Sequence, residues 1–243
     1  MMKIFVLALP LIVLAACDEQ AGDTPKAAGP VVAAKAPAGT EWATTVVETP
    51  DGGMQMGNPN APIKVVEYAS MSCSHCAEFS AKASEPLKAN YIATGKVSYE
   101  LRNYVRDPMD LTATLLARCG GPGPFFPLAE AMFADQASWF VKVQAMTPAD
   151  QQAMGALPPA QQMSKFATML GLDNFVRQRG ISAEKANACL ANTAESDKLV
   201  KMRDRANTEF NLQGTPTFLI NGQVAPDTGT WEALEAKLKA AGA

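Results

Sequence analysis

The chain has 243 residues, 48% hydrophobic and 19% charged, the composition of an ordinary globular protein with one large domain or two small ones. Its formal net charge of −3, with no lysine/arginine stripe, argues against nucleic acid as a partner.

The first sixteen residues do not belong to the folded part. Met1-Met2-Lys3 is a short positive start, and residues 4–14 form an apolar run. That run is shorter than the roughly 20 residues a bilayer span needs, so it suits a leader. It ends in Leu14-Ala15-Ala16-Cys17, which resembles a bacterial lipobox. The resemblance implies cleavage before Cys17 and acylation of it; an ordinary secretory signal, with Cys17 free or removed, is the alternative. Five cysteines are odd for an exported protein, and lipidating Cys17 leaves an even four. Asp18 resembles the signal that retains some lipoproteins in the inner membrane. Residues 17–43 read as a lipidated flexible tether, rich in Ala, Gly, Pro and Lys. Such a segment reaches roughly 25 Å.

Residues 44–48 predict a first strand, ended by the turn Thr49-Pro50-Asp51-Gly52-Gly53. Pro62 to Tyr68 is a β-branched, apolar run of strand type. Cys73-Ser74-His75-Cys76 follows, and Ala77 to Tyr91 has helical spacing. In it Cys76, Phe79, Ala83, Leu87 and Tyr91 recur at steps of three and four. Lys96 to Tyr104 predicts another strand, with Val97, Tyr99 and Leu101 on one face. From Met109 to Asn192 only helical periodicity is visible, in candidate helices at 110–119, 126–140, 148–154, 160–170, 173–178 and 182–191. Gly120 to Pro124 and Gly155 to Pro159 read as loops. A longer helix at 194–211 aligns Leu199, Met202, Ala206 and Phe210. Asn221-Gly222 between short apolar runs predicts a hairpin. Thr230 is a plausible N-cap for a closing helix with Trp231, Leu234 and Leu238 inside.

Two cysteines with two residues between them, on the first turn of a helix, can close a small disulfide. The first sulfur then faces solvent and the second turns inward. Strand, short loop and Cys-x-x-Cys helix form a redox context. Half of a zinc site is the other reading, but no second Cys-x-x-Cys or Cys/His pair completes four ligands, and His75 is the only histidine. The partial positive charge of a helix N-terminus favours a Cys73 thiolate, and a protonated His75 adds to it. Otherwise His75 is exposed polar filler. Cys119 and Cys189 default to a disulfide in an oxidising compartment, with two buried thiols as the alternative. The 12 methionines read as core filler, since no Met-x-x-Met spacing suggests copper.

With the Thr215-Pro216 hairpin and the helical block, the chain resembles the DsbA-like thioredoxin-fold family of bacterial periplasmic thiol–disulfide oxidoreductases. The resemblance covers about 58–243. Its most specific parts are Gly57-Asn58-Pro59-Asn60-Ala61-Pro62, Val66-Glu67-Tyr68, Cys73 to Cys76 and Gly214 to Gly222. It implies an α/β thioredoxin fold over 44–243, a central mixed sheet flanked by helices, with an all-helical subdomain inserted at about 109–192. It further implies Cys73 as attacking thiol, Cys76 as resolving thiol, and Glu67 as a buried acid that takes the Cys76 proton. A cis bond before Pro216 follows from the same likeness, with Thr215 offering backbone groups to an extended substrate.

No cofactor or metal beyond the redox-active pair is implied. The expected substrates are exported proteins with cysteines. The expected partner is a membrane thiol oxidase of DsbB type, or a DsbD-type reductase. The expected setting is the periplasm, as a monomer held only by its lipid, at the inner membrane. Ser74 stands where proline is commonest in strong oxidants. Thr215 stands where valine often precedes the proline, a threonine familiar from isomerase-type members. A dithiol oxidase is the leading expectation, and an isomerase or reductase kept reduced by a membrane donor is its rival. From other classes come a copper- or zinc-binding lipoprotein using Cys73, Cys76 and His75, and a non-catalytic interaction module.

Overall fold

The computed structural model describes residues 30–243. A mixed sheet runs through its middle in the order β1-β2-β4-β3-β5-β6. The strands are β1 (Val46–Glu48), β2 (Met54–Gly57), β3 (Ile63–Ala69), β4 (Val97–Asn103), β5 (Thr217–Ile220) and β6 (Gln223–Ala225). Only β3 and β4 pair in parallel; the other neighbours are antiparallel. A parallel pair needs a long crossover, and α1 (Ser74–Leu87) lies in it. Between β4 and the long α8 (Thr193–Phe210) the chain is all helix. These helices are α2 (Pro108–Arg118), α3 (Pro122–Gln144), α4 (Pro148–Gly155), α5 (Pro159–Leu170), α6 (Leu172–Arg177) and α7 (Ala183–Leu190). The last helix is α9 (Trp231–Ala240), whose N-cap Thr230 accepts the Ala233 N–H, a cap that contributes about 1 kcal/mol.

Successive strand side chains face opposite sides of the sheet, and β3 shows what that does. Ile63, Val65 and Ala69 join the main core with Phe79, Phe125, Trp139 and Phe218. Val66 and Tyr68 face the other way, onto Met202 and Ala206 of α8. Glu67 has the parity of Val65, so the strand aims a carboxyl into the main core. There the Phe79 and Phe218 rings pack with centroids 4.7 Å apart. Burying each such ring stabilises the fold by about 2–3 kcal/mol.

Several elements depart from their sequence expectation. Met54–Gly57 is a strand that no β-branched run announces. Pairing with β1 and β4 on its two sides makes it one, and buries Met54 and Met56. The cysteine helix ends at Leu87, short of Tyr91, and a π turn over Lys88–Ile92 follows Pro86. Proline has no N–H to continue the ladder, which disturbs the helix there. The expected loop at Gly120 to Pro124 is mostly helix. Pro122 opens α3, where the first turn needs no N–H from it, and Gly121 turns the chain at φ 78°.

The tether also needs correction from residue 31 onward, because this stretch lies on the domain. Val31 packs against the core, the Ala34 N–H donates to the Thr94 carbonyl at 3.0 Å, and Trp42 Nε1 donates to the Ala34 carbonyl at 2.7 Å. The leader, Cys17 and the first part of the tether lie outside the described residues. Among the described residues no helix is long and apolar enough to cross a membrane.

Candidate active site

Residues 70–73 carry the chain from the end of β3 into α1. Cys73 is the N-cap, with extended backbone (φ −91°, ψ 119°), and its carbonyl accepts the Ala77 N–H at 3.1 Å. Cys76 sits in the first turn on the buried face of α1. Both are free thiols. The expectation that the first sulfur faces solvent is corrected: Cys73 is 5% exposed and Cys76 0%. The cover over Cys73 is the loop entering β5. There the Thr215–Pro216 peptide bond is cis, and Cys73 Sγ donates to the Thr215 carbonyl at 3.1 Å. Ser74 and His75 stand exposed beside this cover.

The two thiols are driven in opposite directions. Cys73 is brought down to about 4, chiefly because the Cys76 thiol donates to its sulfur, with burial opposing. The Thr215 hydroxyl, and then the N–H groups of Cys76 and His75, hold it down further. That hydroxyl is buried and makes no hydrogen bond of ordinary geometry among the described residues. His75 thus supports the thiolate through its backbone. Cys76 is pushed well up, first by burial, then by its bond to Cys73, then by the negative charges of Glu67 and Cys73.

Glu67 is 2% exposed on the central strand β3. Burial pushes it up to about 8, while a hydrogen bond from the Tyr99 hydroxyl works the other way. A carboxyl of that pKa next to a buried thiol can hand over or take up one proton near neutral pH.

A polar shell grips the loop in front of Cys73. Asp110, fully buried on α2, accepts the Ser70 hydroxyl at 2.6 Å and the Met71 N–H at 2.8 Å. Burial holds its carboxyl up at about 7. Arg106 donates to the Ser70 and Ser72 hydroxyls, each at 2.9 Å. Gln136 of α3, 4% exposed, donates from Nε2 to the carbonyls of Met71 at 2.9 Å and Cys73 at 3.0 Å.

A family model described as thioredoxin matches residues 49–240. The crystal structure of a protein-disulfide isomerase from Novosphingobium aromaticivorans is 33% identical, with a TM-score of 0.74. The match covers 76% of this chain and 95% of that one. The chain belongs to the DsbA-like thioredoxin-fold family. Wolbachia pipientis alpha-DsbA1 shares the fold at 22% identity and a TM-score of 0.63, over 79% of this chain and 91% of that one. A curated relative from Rickettsia bellii, named "Putative protein-disulfide oxidoreductase", is 28% identical over 178 residues. That is 71% of this chain and 58% of the relative. A counterpart from Rickettsia conorii is 30% identical, over 71% of this chain and 54% of its own length. The chain therefore spans little more than half the length of these curated relatives.

Structure brings Cys73, Cys76, Glu67, Thr215 and Pro216 into one site, with His75 at its rim. Cys119 and Cys189 lie elsewhere, joined as a disulfide between α2 and α7. Among the described residues no group of three His, Cys, Asp or Glu side chains is placed to hold a metal. Sequence reasoning missed Tyr99 as a partner of Glu67, and missed Asp110 and Gln136 altogether. A signal for Gln136 existed. It falls on the stripe of Ala129, Met132, Phe133 and Trp139, a polar residue where α3 is otherwise apolar.

Proposed function

We propose that this protein is a thiol–disulfide oxidoreductase that exchanges disulfides with exported proteins through Cys73 and Cys76, working as a dithiol oxidase. The observation that carries this reading is the split between the thiols: Cys73 low at the helix N-terminus, Cys76 high and buried behind it. In the oxidising direction a substrate thiolate attacks Cys73 Sγ of the disulfide, and the Cys73–Cys76 bond breaks. Cys76 leaves as thiolate and takes a proton from Glu67. A second substrate thiolate then attacks the substrate sulfur of the mixed disulfide, and Cys73 departs as a stable thiolate. The substrate dithiol loses two electrons, and the enzyme disulfide gains them and becomes the dithiol. A stable leaving thiolate favours the reduced enzyme, which is what makes a disulfide oxidising. Thr215 offers its carbonyl to an extended substrate once Cys73 no longer donates to it.

Resetting the site requires a membrane thiol oxidase of DsbB type. An isomerase or reductase kept reduced by a DsbD-type donor is the second reading, favoured by the name of the Novosphingobium structure. The lipobox-like stretch before Cys17 supports a periplasmic, lipid-anchored location, with Asp18 supporting the inner membrane. Incorporation of labelled palmitate, lost in Cys17→Ala, checks the anchor.

The catalytic reading is tested by trapping. With Cys76→Ala, Cys73 still opens a substrate disulfide but nothing releases the mixed disulfide. With Cys73→Ala nothing starts. Non-reducing gels of the exporting host should show reducible high-mass adducts with Cys76→Ala alone. If neither variant forms adducts and the native protein purifies with stoichiometric copper or zinc, the oxidoreductase reading fails and metal binding replaces it.

A further inference from the structure

We propose that Gln136, carried on the helical insertion, is a positioning residue for Cys73: its side-chain amide ties the loop to the first turn of α1, so that the helix N–H groups converge on the sulfur. The proposal rests on the reading of Cys73 as the attacking thiol. The first N–H groups of a helix have no intrahelical acceptor and are free to face an anion. Cys73 Sγ reaches them only while Cys73 stays extended, outside the helix, with its carbonyl turned inward.

That carbonyl accepts from two sides. The Ala77 N–H, at 3.1 Å, fixes it relative to the helix. It does not fix the loop that precedes it. Gln136 does, because one nitrogen spends one hydrogen on Cys73 O at 3.0 Å and the other on Met71 O at 2.9 Å. Two carbonyls on either side of Ser72 are therefore held at a set separation. From below, Asp110 accepts the Met71 N–H at 2.8 Å, so both polar backbone groups of Met71 are tied to the insertion. The amide orientation has one sensible choice, since an oxygen in place of Nε2 would face two carbonyl oxygens. At 4% exposure no solvent replaces these donors; the Cys73 carbonyl keeps the Ala77 N–H, but leaving the buried Met71 carbonyl without its donor is costly.

The test compares reduced wild-type protein with Gln136→Met, which keeps the volume and removes both donors. Thiolate absorbance against pH reads Cys73 directly and needs no turnover. We expect the Cys73 titration to move upward, with about tenfold less thiolate at a given pH below its midpoint. The equilibrium constant for oxidising glutathione should fall by a similar factor. If Gln136→Met melts at a lower temperature while its titration and glutathione equilibrium coincide with wild type, Gln136 only packs and the proposal is overturned. Should Gln136→Met fail to fold, Gln136→Asn keeps a buried amide one methylene short and must show the same displacement. In wild-type protein, the Gln136 side-chain N–H resonances must also track the Cys73 titration; resonances that ignore it overturn the proposal. A wild-type protein that never exchanges with glutathione sinks the oxidoreductase reading instead, and leaves the titration as the judge of Gln136.

Discussion

Two cysteine pairs sit at opposite ends of helices in this chain, and the ends contribute to the difference in their states. Cys73 and Cys76 occupy the N-cap and first turn of α1, whereas Cys119 is the C-cap of α2 and Cys189 lies in the last turn of α7. N–H groups face the Cys73 sulfur. Carbonyl oxygens face the others: that of Lys185 lies 3.4 Å from Cys119 Sγ, and that of Cys119 lies 3.9 Å from Cys189 Sγ. A helix N-terminus stabilises a thiolate, and a C-terminus, carrying partial negative charge, opposes one. On the oxidase reading proposed above, the first pair is stable when reduced and the second stays joined.

The largest consequence is in reduction potential. An oxidant of this family type lies near about −120 mV, while structural disulfides lie below about −300 mV. The pairs should differ by about 180 mV, roughly six decades in equilibrium constant for a two-electron couple. Graded reduction, alkylation and peptide mapping should label Cys73 and Cys76 over a range of reductant that leaves Cys119 and Cys189 joined. A Cys73–Cys76 potential near about −270 mV would assign the protein to the reducing members and end the oxidase reading. Simultaneous labelling of all four would end the comparison itself.

Next in size is stability. The Cys119–Cys189 bridge closes a 70-residue separation and pins α2 to α7. Removing it with the double substitution Cys119→Ala/Cys189→Ala should cost about 4 kcal/mol on the chain-entropy account. Chemical denaturation measures that loss. The Cys73–Cys76 potential should not follow it, because the active pair draws its stabilisation from α1 and the β5 loop. A potential that drops with the bridge would show the two pairs to be coupled.

How far the sequence reveals this contrast depends on the range of the forces involved. The Cys73–Cys76 spacing, the Asn221–Gly222 turn and the cap at Thr230 are local rules, and each is visible in a few residues. At the turn both residues take positive φ, 50° and 81°, as a two-residue hairpin needs. The burial of Glu67 was legible from its place in an apolar run. Strand β2 was not, because Met54-Gln55-Met56-Gly57 has weak strand propensity and becomes a strand through its two neighbours. The grip of Asp110 and Gln136 on the cysteine loop spans long stretches of chain, and only tertiary packing makes it. The shielding of Cys73 likewise comes from Thr215, distant in sequence, folding over it.

The third prediction uses a contrast in carboxylates. Beside the bridge, Glu48 and Glu195 are paired to Arg118 at 3.1 and 2.6 Å; beside the active pair, Glu67 has no cation partner among the described residues and is raised from 4.5 to about 8. An acid raised on folding keeps its proton in the folded chain while the unfolded chain ionises. Its effect is absent below about pH 4.5, destabilises progressively as pH rises, and is complete above about pH 8. Glu67→Gln should therefore stabilise the reduced protein by about 3 kcal/mol at pH 7 and by little at pH 4. The same variant should slow the steps that move the Cys76 proton by about a hundredfold. Denaturation curves at both pH values, with stopped-flow kinetics of mixed-disulfide resolution, decide it. Equal stabilisation at pH 4 and pH 7 would mean that folding leaves the Glu67 pKa where it stands in the unfolded chain.

The smallest effect is also the most direct reading of which sulfurs hold protons. Reducing a disulfide adds two electrons and as many protons as the resulting thiols retain. Each retained proton makes the potential fall by about 30 mV per pH unit. Cys73 loses its proton near pH 4 and Cys76 keeps its own well above neutrality. The active pair should thus take up one proton between pH 5 and 8, a slope of about −30 mV per unit. Measuring it in Glu67→Gln removes the carboxyl that would otherwise titrate in the same range. The bridge, with both thiols protonated on reduction, should show about −60 mV per unit. The gap between the two pairs then widens by about 30 mV, roughly tenfold in equilibrium constant, for every unit of rising pH. Parallel slopes would show that Cys73 stays protonated when reduced. Helix polarity would then fail as the reason the two pairs differ.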